Sequence, residues 1–118
     1  MHLPPVPHID AADVDAALAD GALLLDVRED EEYSAGHIAD AVHVAMNTLP
    51  QRWREDPDLL AADRPIVVVC RVGSRSAAVT AWLRGQGFEA SNLEGGMVAW
   101  AVQRRPMTST DGSPARVA

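Results

Sequence analysis

The single cysteine of this 118-residue chain, Cys70, lies between two stretches of opposite character. Pro65-Ile66-Val67-Val68-Val69 precedes it, a β-branched run that reads as a strand buried on both faces. Ser76-Ala77-Ala78-Val79-Thr80-Ala81-Trp82-Leu83-Arg84 follows and reads as a helix. Between them lies Cys70-Arg71-Val72-Gly73-Ser74-Arg75. A thiol at this junction sits where open parallel sheets bind ligands, at the carboxyl ends of the strands. A loop curling into a helix there turns successive N–H groups inward, with the positive end of the helix behind them. Such a cup favours an anion and lowers the pKa of a thiol inside it, giving a nucleophilic thiolate. Arg71 and Arg75 add two positive charges. The competing reading is a buried, inert cysteine, a common state for a free thiol; the electropositive position argues for the reactive one.

The bulk properties suit one ordinary globular domain. Hydrophobic residues make up 47% and charged residues 23%. A lone cysteine excludes an internal disulfide and a multi-cysteine metal site, and it suits a reducing, cytoplasmic setting. No apolar stretch is long enough to span a bilayer, and the start lacks the pattern of a signal peptide. A net charge of −7 argues against nucleic acid or anionic membrane as partners. Against that acidic surface one anion-attracting loop stands out, because nearby donors outweigh charges screened over about 8 Å.

The elements that must hold this loop follow from the chain in order. Residues 1–7 form an irregular lead-in with three prolines. His8-Ile9 reads as a short edge strand, and Asp10 or Asp13 as the cap of a helix through Ala19, stopped by Asp20-Gly21. Ala22 to Leu25 is a buried strand ending at Asp26-Val27-Arg28. The acidic run Glu29-Asp30-Glu31-Glu32 opens a short helix that Gly36 ends, and reads as macrodipole complementarity on a solvated face rather than as a metal site. Ala41 to Ala45 is a third strand, and a helix runs around Leu49 to Arg54. After the loop helix, Gly85-Gln86-Gly87 is a stop, Phe88 to Leu93 a last strand, and Met97 to Val102 a last helix after Glu94-Gly95-Gly96. The polar tail, 106–118, is expected to be disordered. Strands alternating with helices give an α/β fold with a mostly parallel sheet of about five short strands and helices on both faces, over residues 8–105.

Three separated segments together resemble the rhodanese (thiosulfate:cyanide sulfurtransferase) family. They are Asp26-Val27-Arg28 with Glu32-Tyr33 and Gly36-His37-Ile38; Cys70 through Ser76; and Asn92-Leu93-Glu94-Gly95-Gly96 with Ala99-Trp100. The resemblance covers roughly residues 8 to 104 and implies a single-domain rhodanese fold. It implies that Cys70 takes up sulfane sulfur and that the N–H groups of Arg71, Val72, Gly73, Ser74 and Arg75 hold the persulfide. Arg71 and Arg75 would favour an anionic donor such as thiosulfate, and Asp26 and Arg28 would brace the pocket. His37 is read as a hydrogen-bonding structural residue and Trp100 as core. Ala45 departs from the family pattern, which often has proline there.

The expected reaction is two-step transfer from thiosulfate or a persulfide to cyanide or a thiol, with no metal or organic cofactor. The acceptor comes from outside, a small molecule or a protein, since no second cysteine can resolve the persulfide. Two rivals are weighed. One is a catalytically silent rhodanese-like binding module, against which the presence of Cys70 and its arginines counts. The other is a Cys-loop phosphatase, which places five residues between Cys and Arg where this chain has four, Arg71 through Ser74. The shorter ring suits one sulfur better than a tetrahedral phosphate.

Overall fold

The computed structural model describes residues 5–60 and 63–118. The order of elements is β1 (His8–Ile9), α1 (Ala11–Ala19), β2 (Leu23–Asp26), α2 (Asp30–Ala35), β3 (Val42–His43), a 3-10 turn (Met46–Thr48), α3 (Leu49–Glu55), β4 (Ile66–Val69), α4 (Ser74–Gly85), β5 (Ala90–Leu93) and α5 (Gly96–Val102). The five strands form one sheet in the order β1-β5-β4-β2-β3, and every pairing is parallel. β4 is therefore central, and the residue after it, Cys70, emerges at its carboxyl end.

The run Ile66–Val69 is fully buried because its side chains feed two cores, one on each face of the sheet. Ile66 and Val68 pack with Leu23, Leu25, Leu49, Val79 and Leu83 beneath α3 and α4. Val67 and Val69 pack with Val14, Leu24, Met97 and Trp100 beneath α1 and α5. Each such side chain contributes roughly 1.5–3 kcal/mol by leaving water. The strand that carries Cys70 is thus among the most firmly placed parts of the chain. No helix among the described residues is long and apolar enough to cross a membrane.

Several boundaries differ from the sequence reading, among them β5, which begins at Ala90 and not Phe88, and α5, which begins at Gly96 and not Met97. β2 runs one residue later and takes in Asp26, which pairs in register with Val69 and His43. β3 is only two residues long, since the chain leaves the sheet at Val44 toward the 3-10 turn. α4 begins at Ser74, two residues early, because Gly73 adopts φ +105° and completes the turn into the helix. The largest correction concerns the tail. Residues 106–118, expected to be disordered, lie along the body of the domain. Pro106 accepts the Trp100 indole N–H at 2.8 Å, and Thr108 exchanges two backbone hydrogen bonds with His37. The N–H groups of Thr110 and Arg116 donate to Ser34 and Ala35, and Val117 packs against the core. Composition hid this: the tail is polar and its anchors are mostly backbone groups, which leave no mark in residue type.

Candidate active site

Cys70 is completely buried at the foot of the loop. Its Sγ accepts the Gly73 N–H at 3.1 Å, and the Ser76 hydroxyl lies 3.2 Å away. Burial alone would push the thiol up. The Ser76 hydroxyl and the N–H groups of Ser76, Gly73 and Val72 outweigh burial and hold the thiol below its ordinary value. Of the amides expected to face the sulfur, those of Val72 and Gly73 do so. Those of Arg71, Ser74 and Arg75 are not among the partners of the bare thiol, and Ser76 takes their place.

The loop keeps this shape because its carbonyls are tied outward. Cys70 and Arg71 carbonyls accept the N–H groups of Met97 and Val98, at 2.9 and 3.0 Å, from the first turn of α5. The contact is possible because Gly96 has no side chain: a Cβ there would come within 2.5 Å of the Cys70 carbonyl oxygen. The Gly73 carbonyl accepts both Ala77 N–H and the side-chain N–H of Asn92. Ser76 Oγ also meets Asn92 Oδ1, so its one proton serves either the sulfur or the amide at a given moment. Asn92 reaches His8 Nδ1 at 3.3 Å, which ties the cup to the edge strand.

Sequence reasoning singled out neither Ser76 nor Asn92 for the site, although both fall within the segments it quoted. The signal available was their polarity at positions the fold buries. Ser76 opens the apolar face of α4, and Asn92 lies among the buried residues of β5. A buried hydroxyl and a buried amide both need partners.

The two arginines of the loop are placed differently from the expectation. Arg71 is exposed, and its Nε–H donates to the backbone oxygen of Ala118 at 3.0 Å. Arg75 does not point a bare charge at the cup. Both of its terminal nitrogens bind the two carboxylate oxygens of Glu32 at 2.8 Å. The Arg75 hydrogen bonds hold the Glu32 carboxyl well down, at about 2, against the opposing effect of burial. The same pairing raises Arg75 above its ordinary value. Glu32 therefore does more than sit on a solvated helix start, the role expected of the acidic run. Its other tie is the Glu29 N–H, which donates to Oε1 at 3.0 Å.

Beneath this pair lies a second. Asp26 and Arg28 have fully buried side chains and meet through Nε and a terminal nitrogen, the closest contact being 2.7 Å. Arg28 also donates to the carbonyls of Glu32 and Gly36, at 3.2 and 2.8 Å. It thereby fixes the C-terminal turn of α2, and with it the residue whose carboxylate holds Arg75. His37 donates its backbone N–H to Thr108, its ring contacts the Tyr33 carbonyl at 2.8 Å, and it stacks on Tyr33. Among the described residues no three His, Cys, Asp or Glu side chains are grouped to hold a metal ion.

Comparison with known proteins agrees with this geometry. The model of the rhodanese-like domain matches residues 10–103. A sulfurtransferase of Allochromatium vinosum is 37% identical over 110 residues, 91% of this chain and 99% of that protein. Thiosulfate sulfurtransferase GlpE of Pseudomonas syringae is 40% identical over 81 residues, 68% of this chain and 73% of that protein. The crystal structure of a rhodanese-related protein from Thermoplasma volcanium superposes with a TM-score of 0.78 at 30% identity, covering 86% of this chain and 97% of the other. With a fully parallel five-stranded sheet and a cysteine cup at the end of its central strand, this chain belongs to the rhodanese-like domain family.

Proposed function

We propose that the chain is a sulfurtransferase that carries sulfane sulfur as a persulfide on Cys70. The observation that carries the reading is the thiol held below its ordinary value by the Ser76 hydroxyl and the loop amides. The relatives named as sulfurtransferases support it at the level of the family.

In the first step the Cys70 thiolate attacks the outer sulfur of a donor. The bond between that sulfur and the rest of the donor breaks, and the electron pair leaves with the departing anion: sulfite from thiosulfate, a thiolate from a persulfide. In the second step a thiol or cyanide from solution, or a protein thiol, attacks the outer sulfur of the persulfide and regenerates the thiolate. No other cysteine is present to intervene. Cys70 has no exposed surface, so the exposed residues Arg71, Val72 and Ser74 shift to admit the donor's terminal sulfur. A cytoplasmic setting suits the lone reduced thiol.

The phosphatase reading loses further ground on Arg75, whose guanidinium is committed to Glu32 instead of being open to a phosphate. The silent-module reading leaves the lowered thiol without a purpose.

The test is loading and turnover. Incubation with a sulfane-sulfur donor should add the mass of one sulfur atom, removable by cyanide or by a thiol. Cys70→Ser should abolish both loading and turnover while keeping the wild-type circular dichroism. Turnover by the folded serine variant at the native rate would end the assignment.

A further inference from the structure

The charge arrangement around the cup differs from what its two arginines suggest. Arg75 belongs to a two-point ion pair with Glu32 that is set firmly in place. The Glu32 carboxylate accepts the Glu29 N–H, and its backbone carbonyl accepts Arg28 from the buried layer below. Arg71 is the loop cation that no side-chain carboxylate among the described residues matches; its Nε–H donates to the backbone oxygen of Ala118. With Arg71 and Arg75 positive and Glu32 negative, the side chains around the thiolate carry one net positive charge. The molecule as a whole is acidic, with a net charge of −7, and repels a dianion more than a monoanion.

Resting on the sulfurtransferase reading, we propose that Glu32 sets the donor class. By neutralising Arg75 it shifts the cup toward singly charged sulfane-sulfur donors, organic persulfides and thiosulfonates, and away from the thiosulfate dianion. Each donor is consumed by the same balanced step. A thiosulfonate gives up its terminal sulfur to the Cys70 thiolate and leaves as a sulfinate. An ionised persulfide leaves as a thiolate, and thiosulfate as sulfite. Total charge is unchanged in every case, so the donors differ in the charge brought to the cup and not in the chemistry performed there.

Removing the charge of Glu32 while keeping its shape releases the field of Arg75. For a donor about 6 Å away through a water-like medium, each unit of donor charge changes kcat/KM about threefold. Glu32→Gln should therefore raise kcat/KM about tenfold for thiosulfate and about threefold for an aromatic thiosulfonate. Any added activation of the Cys70 thiolate affects both donors alike and cancels in their ratio. The ratio of thiosulfate to thiosulfonate should rise about threefold, and the rise should shrink as salt is added.

The experiment measures kcat/KM of the full chain for these two donors, at low and high ionic strength, in the wild type and three variants. Glu32→Gln should move the ratio toward thiosulfate. Arg75→Gln, which leaves Glu32 unpaired, should move it the other way by a similar factor. The double variant restores the original charge and should restore the wild-type ratio. If Glu32→Gln fails to fold, the other two variants still decide the matter. An unchanged ratio in folded variants would make Glu32 a structural residue only and overturn the proposal, leaving sulfur transfer by Cys70 standing. If neither donor loads wild-type Cys70, both the proposal and the sulfurtransferase reading fall.

Discussion

Two arginine–carboxylate pairs lie one above the other beside the active-site loop, and their surroundings give them different roles. The side chains of Asp26 and Arg28 are completely buried, and every nitrogen of the guanidinium finds an oxygen. Arg75 and Glu32 keep 31% and 18% of their side chains exposed, at the rim of the cup. In the lower pair, water cannot substitute for a missing partner, so its consequence is structural. In the upper pair water can, so what changes on its loss is mainly the field that a donor meets. Identical chemistry serves as a brace at one depth and as a selectivity element at the other. Arg28 joins the two, since it holds the carbonyl of the same Glu32 whose carboxylate holds Arg75.

The contrast is tested most severely by removing one charged partner from each pair. Asp26→Ala leaves a buried guanidinium without its counter-charge and should cost about 3–5 kcal/mol, enough to unfold a large share of the protein. Arg75→Gln at the rim should cost about 1 kcal/mol or less, because solvent screens both partners. Urea unfolding followed by circular dichroism gives both numbers. Comparable losses at the two depths would erase the distinction between brace and selectivity element.

What the sequence made legible follows the same division. The β-branched run before Cys70, the glycines around it and the strand–helix alternation sufficed for the fold and for the place of Cys70 in it. Burial, patterning and turn chemistry are local properties, and residue type reports them. Arg28 and Asp26 could be named as a brace only through the family resemblance. The partner of Arg75 could not be read at all, because Glu32 lies 43 residues away within an acidic run that looks like an ordinary helix start. The tail failed for a related reason. Its hold on α2 consists of backbone hydrogen bonds from Thr110 and Arg116, while Met107 and Val117 pack against the core. Pairings distant in sequence, and contacts made by backbone atoms, are where residue types say least.

A smaller perturbation reaches the brace from outside. Gly36 is buried with extended backbone, φ 178°, which any residue adopts, so its lack of a side chain matters only for space. A Cβ at this position would overlap the backbone oxygen and nitrogen of Arg116. Gly36→Ala should lift the end of the tail while leaving the Gly36 carbonyl available to Arg28. The expected cost is about 1–3 kcal/mol, as for other overpacked sites. Faster hydrogen exchange at Arg116 and Thr110, with little change at the buried amides of β4, would place the loss in the tail. Exchange that quickens throughout β2 and β4 would mean that the tail supports the brace as well.

The smallest expected effect is the most direct check that the upper pair forms in solution. The Glu32 carboxyl is lowered from its ordinary 4.5 to about 2, chiefly by the hydrogen bonds from Arg75. A carboxyl lowered on folding adds stability that is fully present above the unfolded value and is lost as pH falls through the folded one. The contribution of this pair should therefore be constant above about pH 5 and fade between 4.5 and about 2. Arg75→Gln removes the cause, so its Glu32 should titrate nearer 4.5 and the variant should lack this increment. Following the Glu32 side-chain carboxyl by NMR in both proteins, alongside urea midpoints from about pH 6 to about pH 2, tests both statements. A wild-type Glu32 midpoint near 4.5 would mean that Arg75 is not paired in solution, and a second unmatched cation would then be open to a dianionic donor.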